Sequence, residues 1–152
     1  MIVKRYIDSL VDSLFKDGMN IINRAKATKE AQNDKYNMED AFGCAVYYKG
    51  KIVKKGYANP TPLSDTIHKG WEKKGIEANT GRGYLDDFFS SYKPHGMGME
   101  LVCVNAVYYS AILEDGRQPN AKAKYRIISQ TDFMFDSLKN KYKGSRVINL
   151  RK

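Results

Sequence analysis

The segment from residue 79 to residue 116 constrains the fold most, because its hydrophobic spacing changes from helical to strand-like and back to helical. Four apolar residues recur three or four positions apart and predict one apolar stripe on a short helix: Leu85, Phe88, Phe89 and Tyr92. Thr80 precedes them as a candidate N-cap. The alternating run from 99 to 105 predicts a strand that is buried on at least one side.

Charged and special residues set the expected ends of these elements. Asp86 and Asp87 are expected near the positive end of the helix dipole, where carboxylates are stabilising. The Pro and Gly residues of 94–98 should end the helix. After the strand, residues 108–116 predict about two helical turns. A structural turn is expected there, formed by Tyr109, Glu114 and Gly116, with Gly116 at positive φ.

The N-terminal region predicts one long amphipathic helix from about residue 3 to about residue 30. Its apolar residues recur at helical spacing: Ile7, Leu10, Val11, Leu14, Phe15, Ile21, Ile22 and Ala25. Gly18 is the weak point of this pattern, because a glycine inside a helix costs about 1 kcal/mol relative to alanine. A continuous helix is favoured over a break at Gly18, and residues 26–37 are expected to form a solvated loop.

A β-hairpin is predicted around Lys49-Gly50, between two runs rich in strand-forming residues. The second strand carries three lysines, at 51, 54 and 55, which should discourage further pairing at its edge. Prolines at 60 and 62 end this strand. Residues 60–79 then form a long connection, and connections of that length are usually functional, disordered or ordered by a neighbour.

The C-terminal region predicts a short strand at 125–128 and a last helix at about 132–142. Ser129 or Thr131 is expected to cap this helix. Its stripe comprises Met134, Leu138 and Tyr142, and Gly144 should end it.

These elements predict a single α+β domain spanning residues 1–152. The long N-terminal helix and two shorter helices should pack on one face of an antiparallel sheet of about four strands. Cys44 and Cys103 lie in separate apolar strand-like runs and are expected to be buried, reduced thiols. No apolar run approaches the length of about 20 residues that spans a bilayer, so no membrane partner is expected.

The sequence contains no recognisable catalytic or metal-binding pattern. The histidines, His68 and His95, lie in polar loops, and their spacing from the two cysteines matches no zinc motif. Gly81 and Gly83 form only part of a phosphate-binding loop. We therefore expect no enzymatic activity, no cofactor, no metal and no small-molecule substrate.

The net charge of +9 is concentrated in residues 117–152, whose ten basic and two acidic residues carry +8 of it. Six of these basic residues are the candidate interface or DNA-facing set: Lys122, Lys124, Arg126, Lys139, Lys141 and Lys143. Such a basic third can attract phosphate backbones, meet acidic surfaces of partner subunits or form a solvated face. The first possibility defines an alternative function, a cytoplasmic nucleic-acid-associated binding protein.

The order of motifs resembles the tail-completion and head-tail joining proteins of long-tailed bacteriophages, a minor tail component family. The matching features are Thr80-Gly81 with Leu85, the strand Glu100–Asn105, Tyr109-Ser110 with Glu114 and Gly116, and the last helix. The resemblance spans roughly residues 1–143.

This resemblance implies a structural virion protein, made in the host cytoplasm and located in the phage neck or tail. It implies a homo-oligomeric ring of six or twelve copies that joins the head connector to the tail. Portal or connector proteins and tail proteins would be its partners, and DNA would pass through the ring without sequence-specific recognition.

Overall fold

The computed structural model of the chain describes residues 2–29, 37–65, 67, 78–107 and 128–148. In chain order these residues form α1 (Ile2–Thr28), α2 (Asn37–Asp40), β1 (Phe42–Tyr48), β2 (Lys51–Tyr57), α3 (Gly81–Ser91), β3 (Glu100–Asn105), a 3₁₀ helix (Ser129–Thr131) and α4 (Asp132–Lys141). The predicted α+β class is confirmed. The short helix α2 was not predicted from the sequence.

The sheet of the described residues has three antiparallel strands, in the order β2-β1-β3, where about four were predicted. Of the strand predicted at 125–128, only Ile128 lies within the described residues. Ile128 is buried and directly precedes the 3₁₀ helix instead of continuing a strand.

The hairpin between β1 and β2 is confirmed. Its two turn residues, Lys49 and Gly50, have φ angles of 53° and 77°, and two consecutive positive values are those of a type I′ turn. A bulge lies between Val46 and Tyr47 of β1. The predicted edge position of β2 is also confirmed, since β2 pairs with β1 alone among the described strands and most of its residues are exposed.

Helices cover both faces of the sheet, so the expectation that all three helices pack on one face is wrong. On one face, α1 packs Ile22 and Ala25 against Phe42 and Cys44. On the other face, Leu85 and Phe89 of α3 pack against Ala45, Tyr47 and Val102. The physical reason is visible in β1: six of its seven residues are buried, because the central strand presents apolar side chains in both directions.

Helix α1 is continuous through Gly18, as predicted. Gly18 is buried where α1 crosses the sheet. A Cβ atom at this position would lie 2.6 Å from Leu101 Cδ1 and 3.2 Å from Cys44 Cβ. The glycine therefore permits close approach of the helix to β1 and β3 and marks no break.

Helix α3 begins as predicted, because the Thr80 hydroxyl accepts a hydrogen bond from the backbone N–H of Gly83. The predicted dipole role of Asp86 and Asp87 is wrong, since both lie in the middle of the helix and its first turn carries no acidic residue. Tyr57 donates its hydroxyl hydrogen to Asp86 at 2.7 Å, and the Asn79 amide donates to Asp87 at 3.0 Å. The two carboxylates therefore accept tertiary hydrogen bonds instead of interacting with the start of the helix.

Helix α4 agrees with the predicted last helix, but its predicted side-chain cap does not form. Thr131 occupies the N-cap position, yet its hydroxyl donates to the carbonyl of Ile128 at 2.6 Å. Ser129 lies in the 3₁₀ helix. Gly144 follows α4 with φ 82°, in keeping with its predicted role as a terminator.

Candidate functional site

The three described residues of the predicted basic set lie at the C-terminal end of α4. Lys141 forms an ion pair with Asp17 of α1 at 2.9 Å, and Lys139 forms one with Asp136 at 3.6 Å. Lys143 lies exposed just beyond the helix. The remaining members, Lys122, Lys124 and Arg126, lie outside the described residues, as does the predicted turn of Tyr109, Glu114 and Gly116.

Asp17 fastens α4 to α1. Its carboxylate accepts hydrogen bonds from the Tyr142 hydroxyl at 2.6 Å and from the Lys141 ammonium at 2.9 Å. The Ser13 hydroxyl, one helical turn earlier, lies 2.7 Å from the Tyr142 oxygen. Burial and the hydrogen bond to Asp17 raise the pKa of Tyr142, so the phenol stays a neutral donor. We call Ser13, Asp17, Lys141 and Tyr142 the α1–α4 clasp.

A groove is lined by residues of α1, β3 and α4 and of the segments next to them. Among the described residues it has a volume of about 930 Å³. Its apolar lining comes from three elements and includes Leu10, Leu14, Met99, Leu101, Phe135 and Leu138. No residue of α4 is fully buried, so the apolar side of this helix stays partly accessible. We call this feature the α4 groove.

Three polar side chains that line the α4 groove form a cluster. Tyr92 donates its hydroxyl hydrogen to Glu100 at 2.9 Å, and His95 Nδ1 lies 2.8 Å from the other Glu100 oxygen. The Tyr92 ring also stacks on Phe88, with centroids 5.6 Å apart. Burial, followed by the hydrogen bond to Glu100, raises the pKa of Tyr92. These groups bind one another and hold the segment that joins α3 to β3.

The cluster contains two parts of a catalytic constellation, a carboxylate and the histidine ring that it orients. A hydrolytic site also needs a nucleophile within hydrogen-bond reach of the histidine. Glu100 holds His95 at Nδ1, so a nucleophile would have to bind Nε2, and the hydrogen bonds of the ring within the described ranges are those of Nδ1 to Tyr92 and Glu100. The raised pKa of Tyr92 also disfavours a phenolate nucleophile. The geometry suits a structural polar cluster better than a catalytic one.

Asp40 is a second polar centre, fully buried at the end of α2. Its carboxylate accepts hydrogen bonds from the Asn59 side chain at 2.9 Å and from the backbone N–H groups of Leu63 and Ser64 at 2.8 Å and 2.9 Å. Lys26 of α1 donates to Asn59 at 2.8 Å. This network fixes the first residues of the long 60–79 connection to the core.

The comparisons add no relative to this description: no protein-family model matches the chain, and no curated protein or solved structure does. Within the described ranges, no group of three or more histidine, cysteine or acidic side chains is arranged to hold a metal ion. None of the helices in those ranges combines the length and apolar character that a bilayer crossing requires.

The helix α4 and its lysines were predicted from the sequence, but the residues that these lysines contact were not. Asp17 lies 124 residues before Lys141, and no local pattern links the two. Because Tyr92 lies on the apolar stripe predicted for α3, its burial was expected, but the hydrogen bond from its hydroxyl to Glu100 was not. The only sequence signal for the α4 groove was the weak apolar stripe of α4 itself.

Proposed function

We propose that this chain is a structural virion protein of a tailed bacteriophage, a subunit of a homo-oligomeric neck ring that joins the head connector to the tail. The observation that supports this proposal best is the α4 groove, whose lining is more apolar than polar and in which several polar side chains bind one another. Lys139 is paired with Asp136 of the same helix. Tyr92 and His95 are likewise hydrogen-bonded to Glu100 of the same chain. A site for a small substrate would direct such groups at the ligand, whereas a packing surface needs only shape and apolar area.

The occupant that we assign to the α4 groove is the neighbouring copy in the ring. A cyclic ring requires a heterologous contact, in which one surface of the subunit meets a different surface of the next. Exposed apolar side chains on the N-terminal turns of α1 offer such a second surface. Ile2 is 85% exposed, Val3 72% and Tyr6 66%. These turns project an apolar stripe that suits insertion into a groove.

The ion pairs of α4 weaken the case for strong DNA binding by this helix. Lys139 and Lys141 are already paired with Asp136 and Asp17. A lysine that neutralises a phosphate must first give up such a pair, which lowers the gain from counterion release. We therefore infer that DNA passes through the ring without strong attraction to this helix, and that basic residues other than Lys139 and Lys141 meet acidic surfaces of the connector or tail.

A complementation experiment tests the proposed function. Phage that lack the gene should accumulate separate heads and tails, and the wild-type chain supplied from a plasmid should restore joined particles. Phe135→Glu, in the α4 groove, should fail to restore them. Asn140→Glu, on the exposed side of the same helix, is the matched control and should complement. Normal yields of tailed particles without the gene would refute the proposal.

A second experiment separates protein-facing from DNA-facing lysines. Charge reversal at Lys122 and Lys124 should block docking and leave DNA affinity unchanged. If these residues face DNA, the same variants should lose sequence-independent binding, and the slope of log affinity against log salt should fall by close to one unit per lost phosphate contact. Loss of DNA affinity with docking intact would favour the alternative function, a nucleic-acid-associated binding protein.

A further inference from the structure

The two cysteines of the chain face each other across the sheet. Cys44 of β1 and Cys103 of β3 are direct partners in the antiparallel register. Directly opposed residues of such a pair have Cα atoms about 4.5–5.5 Å apart and side chains on the same face. A disulfide accepts Cα separations of about 4.4–6.8 Å. The Cα spacing typical of this register therefore lies within the range that a disulfide accepts, and a small approach of the two strands brings the Cβ atoms into range, while both cysteines are free thiols.

Both sulfurs approach the same residue of α1. A Cβ atom at Gly18 would lie 3.1 Å from Cys44 Sγ, and the Cys103 thiol donates to the Gly18 carbonyl at 3.9 Å. Because Gly18 has no side chain, α1 places no side chain over the two cysteines at this position. The two thiols thus share one small region beneath the helix.

We propose that Cys44 and Cys103 are an oxidation site, at which a low-molecular-weight disulfide converts the two thiols into a cross-strand disulfide that locks β1 to β3. Cys103 reacts first because it is half-buried, whereas Cys44 is fully buried. This inference does not depend on the proposed function.

The reaction consists of two thiol–disulfide exchanges. The Cys103 thiolate attacks the oxidant, forms a mixed disulfide and releases one thiol of the oxidant. The Cys44 thiolate then attacks Cys103 Sγ and displaces the second thiol. Two cysteine sulfurs lose two electrons, the oxidant disulfide gains them, and the two cysteine protons end on the released thiols. No further reactant is required.

The surroundings of the cysteines set the rate of this reaction. Burial raises the pKa of the Cys44 thiol to about 12 and raises the pKa of Cys103 well above its usual value, so greater accessibility, and not a larger thiolate fraction, makes Cys103 the first to react. Only the thiolate attacks a disulfide, so the reaction in the folded chain is slow at neutral pH and faster at higher pH. A reducing environment keeps the thiols free, and prolonged exposure to an oxidising one closes the bond.

The test uses the full chain, purified in reduced form and incubated with oxidised glutathione at pH 8. After alkylation with iodoacetamide in denaturant, which exposes any remaining thiol, the intact mass should show the loss of two hydrogen atoms and no alkylated cysteine. Peptide mapping should recover Cys44 linked to Cys103. Because the bond closes a loop of about 60 residues, the melting temperature should rise by roughly 10 °C and return on reduction.

Single variants provide matched controls. Cys44→Ser should stop at a mixed disulfide of Cys103 with glutathione, and Cys103→Ser should react more slowly because only the buried Cys44 remains. Two cysteines that stay alkylatable in the wild type would overturn the proposal. A wild-type product that stops at the mixed disulfide or links two chains would do the same, and an oxidised chain with an unchanged or lower melting temperature would overturn the locking of β1 to β3.

Discussion

Replacing Gly18 by alanine tests how closely α1 approaches the sheet. Gly18 lies within the described helix Ile2–Thr28, so alanine should improve its helix propensity by about 1 kcal/mol. The added methyl would meet Leu101 Cδ1 at 2.6 Å, Cys44 Sγ at 3.1 Å and Cys44 Cβ at 3.2 Å. The Leu101 methyl can rotate away, but Cys44 Cβ is fixed to the central strand and moves only with β1.

The magnitude follows from these two opposing terms. Overpacking a well-packed core costs about 1–3 kcal/mol, and the propensity gain of about 1 kcal/mol offsets part of this cost. Gly18→Ala should therefore lower the free energy of unfolding by about 1 kcal/mol, with a fall in melting temperature of about 2–4 °C.

Urea unfolding of three variants checks this balance. Ser9→Ala, on the exposed side of α1, is the control and should stabilise the chain by a few tenths of a kcal/mol through propensity alone. The double variant Gly18→Ala/Leu101→Ala should be less destabilised than the sum of the two single variants, because the smaller residue gives the new methyl space. A Gly18→Ala variant that is more stable than wild type by about 1 kcal/mol would refute the close-approach argument.

Three further predictions concern the polar groups. Asp40→Ala should lower the unfolding free energy by about 2–3 kcal/mol in urea titrations, because it leaves buried donors unsatisfied; a loss below about 0.5 kcal/mol would contradict the role of Asp40. Tyr142→Phe should cost about 1 kcal/mol and free α4 from α1, which hydrogen exchange of α4 would detect; unchanged exchange would contradict the clasp. A group whose pKa is raised in the folded state contributes stability below its unfolded pKa, and this contribution is lost as the pH rises toward the folded pKa. For Cys44 the free energy of unfolding should therefore fall from pH 9 toward the folded pKa of about 12, by about 1.4 kcal/mol per pH unit. Cys44→Ala should flatten this fall between pH 9 and pH 10, and an equal fall in both proteins would contradict the assignment.

Local patterns predicted the elements whose geometry is set locally. Lys49-Gly50 specified the hairpin because a type I′ turn requires two residues with positive φ. Thr80 specified the start of α3 because its hydroxyl reaches a backbone N–H three residues ahead. Gly18 suggested a weak point in α1 but could not reveal that the sheet lies directly beneath it.

Contacts between distant parts of the chain were beyond prediction from one sequence. Periodicity identified apolar faces on α1 and α3 but not that these helices cover opposite faces of the sheet. Thr131 has the chemistry of an N-cap, yet its hydroxyl donates to Ile128 instead. The partners of the candidate lysines could not be predicted either, because the pairing of Lys141 with Asp17 depends on how α4 docks against α1.

Cryo-electron microscopy of purified particles of a tailed phage whose genome encodes this chain would locate the protein in the virion. We expect density for the chain at the head–tail junction, as one ring of six or twelve copies in which the α4 groove of each subunit contacts the next copy. Absence of the chain from purified particles, or its presence there as a single copy without cyclic symmetry, would contradict the proposed function.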